Sequence, residues 1–234
     1  MVASITLLAE NDYVGMTFWL ATAIMLASAV FFFVERSDVP AKWRTSMTVA
    51  GLVTGISFWH YLYMREAHLQ GEVTTVFRYV DWLITVPLQI VEFYLILAAV
   101  TAVTSVLFWR LLGASLVMLI FGFLGEAGLI DVTVGFVIGM AGWIYIIYEI
   151  FAGEAAKVSE GSNNPGGQFA FNTLRLIVTV GWSIYPIGYF LGYLSGAETT
   201  NFDTVNIVYN LADLVNKTAF DLAIYVGATM DSSK

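Results

Sequence analysis

A lysine in the middle of an apolar run is the most reactive feature of this chain. Lys217 stands in NLADLVNKTAFDLAIYV, with Asp213 four residues before it and Asp221 four after, one helical turn apart on one face. A lysine amine adds to an aldehyde to give an imine, and the protonated imine is a buried cation that needs an anion beside it. A second acidic series runs through RYVDWLITVPLQIVEFYLIL, which contains Arg78, Asp81, Thr85, Gln89 and Glu92. At the helical repeat these residues fall within roughly 80° of Asp81, so they form one polar stripe. Asp81 and Glu92 are ~16 Å apart along the axis. Helical side chains lean toward their own N-terminus, which carries the Lys217 amine toward Asp213 and the depth of Asp81.

Such a set can move a proton in one direction. If the cation gives up its proton, the nearer carboxylate takes it, and Asp81 and Asp213 are both placed to do so. Glu92, among Ile90, Val91, Phe93 and Tyr94, is expected to hold its proton at rest, because apolar burial disfavours a charge. An acceptor at one depth and a donor at another give a vector. The other reading is a buried salt-bridge cluster that locks two helices together. Ionisable groups inside a membrane mark function by default, and buried pairs are poor sources of stability.

The elements that must hold these residues are membrane spans. Of 234 residues, 59% are hydrophobic and only 12% charged, far below the charged share of a soluble domain of this size. A bilayer core calls for ~20 apolar residues per helix. Seven such runs are present, at 13–34, 44–64, 75–99, 105–127, 132–153, 168–194 and 203–229. The expected fold is all-α, a single seven-transmembrane-helix bundle over residues 1–234. The longest link, 154–167, contains SEGSNNPGG, the composition of a flexible loop. His68 falls in a polar link and is expected to be solvated. The first nine residues are too short, and lack the basic flank, for a secretory signal.

Charge sets the expected orientation. Arg36, Lys42, Arg44, Arg110, Lys157, Arg175 and Lys234 fall at links on one side, and the other side keeps Arg65 beside Glu66. Basic residues gather in the cytoplasm, so the N-terminus is expected outside and the C-terminus inside. Asp81 then lies toward the outside and Glu92 toward the cytoplasm. A net charge of −8 argues against nucleic acid as a partner, and the absence of cysteine excludes disulfides and thiolate metal sites. No metal site is expected. There is no Ser-His-Asp set, HExxH or nucleotide loop, so nothing supports an enzyme.

Together with WSIYPIGYF, NLADLVNK, FWHYLYMR and FGFLGEAG, the RYVDWLITVPLQIVEFYLIL segment resembles the microbial (type 1) rhodopsins, and among them the proteorhodopsins, over nearly the whole chain. The resemblance implies all-trans retinal bound covalently to Lys217 as a protonated Schiff base. It implies a counter-ion formed by Asp81 and Asp213, with Asp81 the first proton acceptor and Glu92 the cytoplasmic donor. The Asp81, Thr85, Glu92 trio is the pattern of proton pumps. Arg78 belongs to the same stripe, and the resemblance sets His60 beside Asp81, where it tunes that residue's proton affinity. Trp82, Met118, Trp182, Tyr185, Pro186 and Tyr189 would build the retinal slot, flat rings sandwiching a polyene. Each could equally be helix packing or an interface aromatic. Pro186 would serve as a hinge or as a tolerated kink. Gln89 implies a blue-absorbing form, with Leu there going with green. Glu126 is either a proton-release group or a surface carboxylate.

The implied activity is a light-driven outward proton pump in the inner (plasma) membrane of a bacterium. Its partners would be the lipid bilayer and other copies of itself, in a ring of five or six. The alternative is a slow photosensor that signals to a partner protein, against which Glu92 speaks. A third reading is a protein without chromophore, in which Lys217 only bridges helices. Asp221 departs from the pattern, because a glycine is expected four residues after the lysine. It either bonds a neighbouring hydroxyl such as Thr218, or adds a second carboxyl to the uptake path of Glu92.

Overall fold

The computed structural model describes residues 8–195 and 202–232. It contains α1 (Tyr13–Glu35), α2 (Arg44–Leu69), α3 (Thr75–Val100), α4 (Ser105–Glu126), α5 (Val132–Phe151), α6 (Glu154–Gly161), α7 (Pro165–Leu176), α8 (Ile184–Tyr189) and α9 (Phe202–Ser232). A π-helical segment, Ile177–Gly181, joins α7 to α8, and a second, Phe190–Leu194, extends α8, so that all four form one long rod. That rod and the helices α1 to α5 and α9 make seven rods. Each packs against the next in the chain, and α9 closes the ring against α1.

Five of the rods are long and apolar enough to cross a membrane on composition alone. The exceptions are α2, diluted by serine, threonine and glycine, and α9, which carries Asp213, Lys217 and Asp221. Surface and interior are reversed relative to a soluble protein. Trp19, Trp59, Trp109, Val180 and Val215 face outward, whereas Arg78, Asp81, Glu92, Glu149, Asp213, Lys217 and Asp221 are buried. In lipid there is no hydrophobic force between helices, so close packing must hold them. A methyl group at Gly135 would come within 2.8 Å of the Gly125 Cα, and one at Gly142 within 2.8 Å of the Ala114 carbonyl. Glycine at these points lets α5 lie backbone to backbone on α4.

The segment after α5 corrects a sequence expectation. Residues 154–167 are not a loop throughout: Glu154–Gly161 is helical. Glu154 is tied by an ion pair to Arg110 and by a bond from the Thr104 hydroxyl at 2.8 Å. Asn164 accepts from the Gly167 N–H and caps α7, with Pro165 in its first turn. Tertiary contacts and a cap thus override a turn-rich composition. His68 is also not simply solvated. It sits in the last turn of α2, with Nε2 3.1 Å from Asp12 Oδ1. The same Asp12 accepts from the Gly15 N–H at 2.7 Å and caps α1.

At the opposite end, Asp231 ties three elements together. Its carboxylate meets Lys42 Nζ at 2.6 Å and accepts from Trp43 Nε1 and Asn164 Nδ2, both at 2.8 Å. Burial alone would push this carboxyl up, but the bonds from Lys42, Trp43 and Asn164 outweigh it and hold the group below its ordinary range. A lowered carboxyl adds stability above its unfolded pKa, and that stability is lost as pH falls through the folded value. Asp231→Ala should therefore cost about 2 kcal/mol near neutral pH. The deficit should shrink as the medium is taken below pH ~4. Thermal unfolding of the two proteins across a pH series measures this; a constant deficit would mean packing rather than charge.

Candidate functional site

The α3 stripe faces inward as a whole. Arg78, Asp81, Thr85, Gln89 and Glu92 are all buried. Pro87 lies within α3 without ending it. Opposite the stripe, α9 presents Asn210, Asp213, Asn216, Lys217 and Asp221, also buried. The two helices bring the lysine and two carboxylates together. Lys217 Nζ pairs with Asp81 Oδ2 and lies 3.3 Å from Asp213 Oδ2. Lys217 is 2% exposed, so this cation depends on the two anions for what water would otherwise supply.

Each carboxylate has its own set of donors. Asp81 Oδ1 accepts from Ser57 Oγ at 3.0 Å and lies 3.2 Å from His60 Nδ1. The imidazole must carry hydrogen on Nδ1 to donate there. Thr85 Oγ1 donates to the Asp81 backbone carbonyl at 2.9 Å, with the carboxylate 3.5 Å away. Asp213 accepts from the Tyr61 hydroxyl at 2.8 Å, the Tyr185 hydroxyl at 2.5 Å and Trp82 Nε1 at 3.3 Å. Ser57 and Tyr61 were not singled out by the sequence. Their only signal is position: they flank His60 on α2, on the turns that face α3 and α9.

Other predicted residues lie apart from this cluster. Arg78 donates to Asn206 and Asn210 at 2.9 and 2.6 Å and sits against the rings of Phe18 and Tyr209. No bond from it to Asp81 or Asp213 is present among the described residues. Glu92 and Asp221 lie toward the other end of the bundle, fully buried. Asp221 makes no bond to a neighbouring hydroxyl among the described residues. The Thr218 hydroxyl lies 3.2 Å from Ser28 Oγ instead. Glu126 is half-buried and accepts from the Tyr79 hydroxyl at 2.7 Å.

Beyond Lys217 opens a cavity of about 110 Å³. All the pocket residues named from the sequence, Trp82, Gln89, Met118, Trp182, Tyr185, Pro186 and Tyr189, line it. Trp143, Phe136, Gly122 and Gly139 line it too and were missed, since nothing marks them in an apolar span. Gln89 Nε2 donates to the Asn216 carbonyl at 3.2 Å, directly before Lys217. Asn216 in turn donates to the Gly181 carbonyl at 3.1 Å, where the first π segment ends. Pro186 has no N–H to give the Trp182 carbonyl, which accepts from the Tyr185 N–H at 3.1 Å instead. The rod thus departs from α-geometry where its aromatics enter the cavity.

An apolar, ring-lined cavity with one amine at its end suits a long apolar aldehyde. At Gly122 a methyl group would come 3.2 Å from the Tyr79 hydroxyl, so the bare glycine leaves room on the wall. Gln89, Asp213, Asn216 and Lys217 line it on the amine side, and Tyr79 and Glu126, bonded to each other, line it as well. A conjugated aldehyde such as retinal would fit these residues, with Trp82 and Trp182 to hold its chain and Lys217 to bind it.

Fold and site together define a seven-helix membrane protein built around one buried lysine and its paired carboxylates. The chain belongs to the bacteriorhodopsin-like protein family, whose profile matches residues 12–230. It is 57% identical to the blue-light absorbing proteorhodopsin of Gamma-proteobacterium Hot 75m4 over 95% of this chain and 89% of that protein. It is 55% identical, with the same coverage, to the green-light absorbing proteorhodopsin of Gamma-proteobacterium EBAC31A08. Among solved structures, the blue light-absorbing proteorhodopsin from Med12 superposes with a TM-score of 0.81 at 63% identity. That alignment covers 94% of this chain and 99% of the other.

Proposed function

We propose that this protein is a light-driven outward proton pump with retinal on Lys217. The observation that carries the reading is the placement of one buried amine between two carboxylates, Asp81 and Asp213, at the end of an aromatic cavity. Bound there, retinal supplies light absorption and makes the nitrogen of Lys217 a cation whose hold on its proton weakens on illumination.

The chain's own groups do the rest. Asp81 Oδ2, already paired with Nζ, receives the proton. Ser57 and His60, bonded to the other oxygen, fix the carboxylate in place. Asp213 keeps three donors and remains the standing anion. Glu92, on the far side of Lys217 along the stripe, returns a proton to the nitrogen and is refilled from that end. Arg78 and its asparagines fix the geometry on the release side. Glu126, reached by Tyr79, shares with Arg78, Glu72 and Asp203 a second cavity on that side. The Trp182 to Pro186 irregularity gives the rod a hinge beside the chromophore.

The basic residues at 36, 42 and 44 support a cytoplasmic location for that end of the bundle, with the N-terminus outside, in a bacterial plasma membrane. Kinship with the proteorhodopsins supports a ring of five or six copies. The direct test is to express the chain with retinal, illuminate an unbuffered cell suspension and follow external pH. Acidification abolished by a protonophore is expected; alkalinisation would reverse the assigned direction, and no change would exclude pumping.

Colour tests the pocket independently. Light moves positive charge along a conjugated chain, and fixed dipoles beside the chain alter that cost. The Gln89 amide lies on the cavity wall and bonds the backbone next to Lys217. We expect blue absorption and a shift to longer wavelength in Gln89→Leu, read from the visible spectrum. Superimposable spectra would remove Gln89 from tuning.

A further inference from the structure

We propose that Asp221 is a second proton carrier, standing in series between Glu92 and the nitrogen of Lys217. The proposal rests on the pump reading above and adds a step to it.

Four carboxyl oxygens are left without a partner in the core. Both oxygens of Glu92 and both of Asp221 are buried and accept no hydrogen bond among the described residues. Both residues are 0% exposed. Buried polar atoms are almost always satisfied, and an idle carboxyl in an apolar core is costly. Two such groups from different helices in one region are therefore not explained by packing. The surroundings are apolar. Phe93 and Phe220, the next residue after Glu92 and the one before Asp221, are 6.2 Å apart ring to ring, and Phe93 also meets Phe171 at 5.3 Å. Ile90, Met47 and Ile224 belong to the same core.

Position gives the order. Asp221 is one turn, ~5.4 Å, from Lys217 on the same face of α9. Glu92 is ~16 Å along α3 from Asp81, which touches Nζ. A donor at that depth needs a stepping stone, and Asp221 stands in the gap. Its charged neighbours are Glu92 of α3 and Lys217 of its own helix. The polar group that faces Glu92 from α2 is Ser46, also buried. No other charged side chain acts on either carboxyl among the described residues.

The step balances as a relay. The carboxyl O–H of Asp221 gives its proton to the neutral nitrogen at Lys217, leaving a carboxylate. That carboxylate takes the proton of Glu92. Glu92 is then refilled from the medium beyond Ser46. Two carboxyls that act on each other in one apolar region titrate as a pair, so neither residue alone sets the pH dependence of reprotonation.

The experiment uses the retinal-loaded protein in lipid and five chains: parent, Asp221→Asn, Asp221→Glu, Glu92→Gln and the double variant. Flash photolysis follows reprotonation of the nitrogen across a pH series. In Asp221→Asn the step should slow at least about tenfold, with a changed pH profile. Adding Asp221→Asn to Glu92→Gln should change little further, because one broken link disables a series. Asp221→Glu, which keeps the carboxyl, should recover most of the rate. The second readout needs no chromophore: infrared titration of the retinal-free protein. Asp221→Asn should move the titration of the Glu92 carboxyl band, the band absent in Glu92→Gln, by about one pH unit or more.

Identical kinetics in parent and Asp221→Asn would overturn the relay, as would an unmoved Glu92 band. Slowing by the same factor with and without Glu92 would also overturn it, since it would make Asp221 a packing residue. A parent that shows no deprotonation of the nitrogen would instead sink the pump reading, so the two failures are distinguishable.

Discussion

Lys217→Ala should give a colourless protein that forms no covalent adduct with all-trans retinal. The parent should be coloured, should bleach with hydroxylamine under light, and should yield a lysine adduct on borohydride reduction. Among the described residues, Lys217 is the one lysine that lines the cavity. Lys42 is 45% exposed and paired with Asp231. The substitution has a second effect. It strands Asp81 and Asp213 without their cation, and breaking a buried pair from one side costs about 3–5 kcal/mol. Lower thermal stability is expected, partly restored when Asp213→Asn is added. A Lys217→Ala protein that still bound retinal covalently would overturn the assignment; unchanged stability would mean that the two carboxylates take up protons once the amine is gone.

What was legible in the sequence follows from cost. A charge inside an apolar run has few explanations, so Lys217, Asp213, Asp81 and Glu92 stood out before any coordinates. The helical repeat then placed Arg78, Thr85 and Gln89 on the Asp81 face, and the whole stripe is buried. Hydroxyls and amides are cheaper to bury and common in spans. Ser57, Tyr61 and Asn216 therefore carried no mark, although they hold Asp81, Asp213 and the π-bulged rod. Which of several such groups meets a carboxylate depends on the rotation of α2 against α3 and α9, and one sequence does not state that rotation. The same holds for Arg78. Its stripe position was legible, but its partners, Asn206 and Asn210, lie on a helix whose depth relative to α3 had to be seen. The π segments are less legible still. They shift backbone bonds by one residue without changing the apolar pattern, and only Pro186 hints at them. At 154–167 composition misled, because the ties of Glu154 to Arg110 and Thr104 lie across the bundle's end and not in the local sequence.

Asp81→Asn should abolish light-driven acidification while leaving the protein folded and coloured. Asparagine keeps the size and can still accept from Ser57, but it has no charge to hold the proton of the Lys217 nitrogen. Asp213 is a poor substitute as acceptor. Its two oxygens already take bonds from Tyr61, Tyr185 and Trp82, and protonation would weaken three bonds made to a charge. Asp81 carries softer constraints, with one serine and one imidazole on Oδ1. Pumping should fall at least about a hundredfold, since a positioned acid or base contributes that much to proton transfer. The spectrum gives an independent check. Removing one counter-ion leaves positive charge at the lysine end less stabilised in the ground state, so the band should move to longer wavelength. Acidifying the parent should produce the same shift by protonating Asp81, and the variant should show no such acid-induced shift. If Asp81→Asn pumps at the parent rate, Asp213 is the acceptor. If both proteins show the same acid-induced shift, the titrating counter-ion is not Asp81.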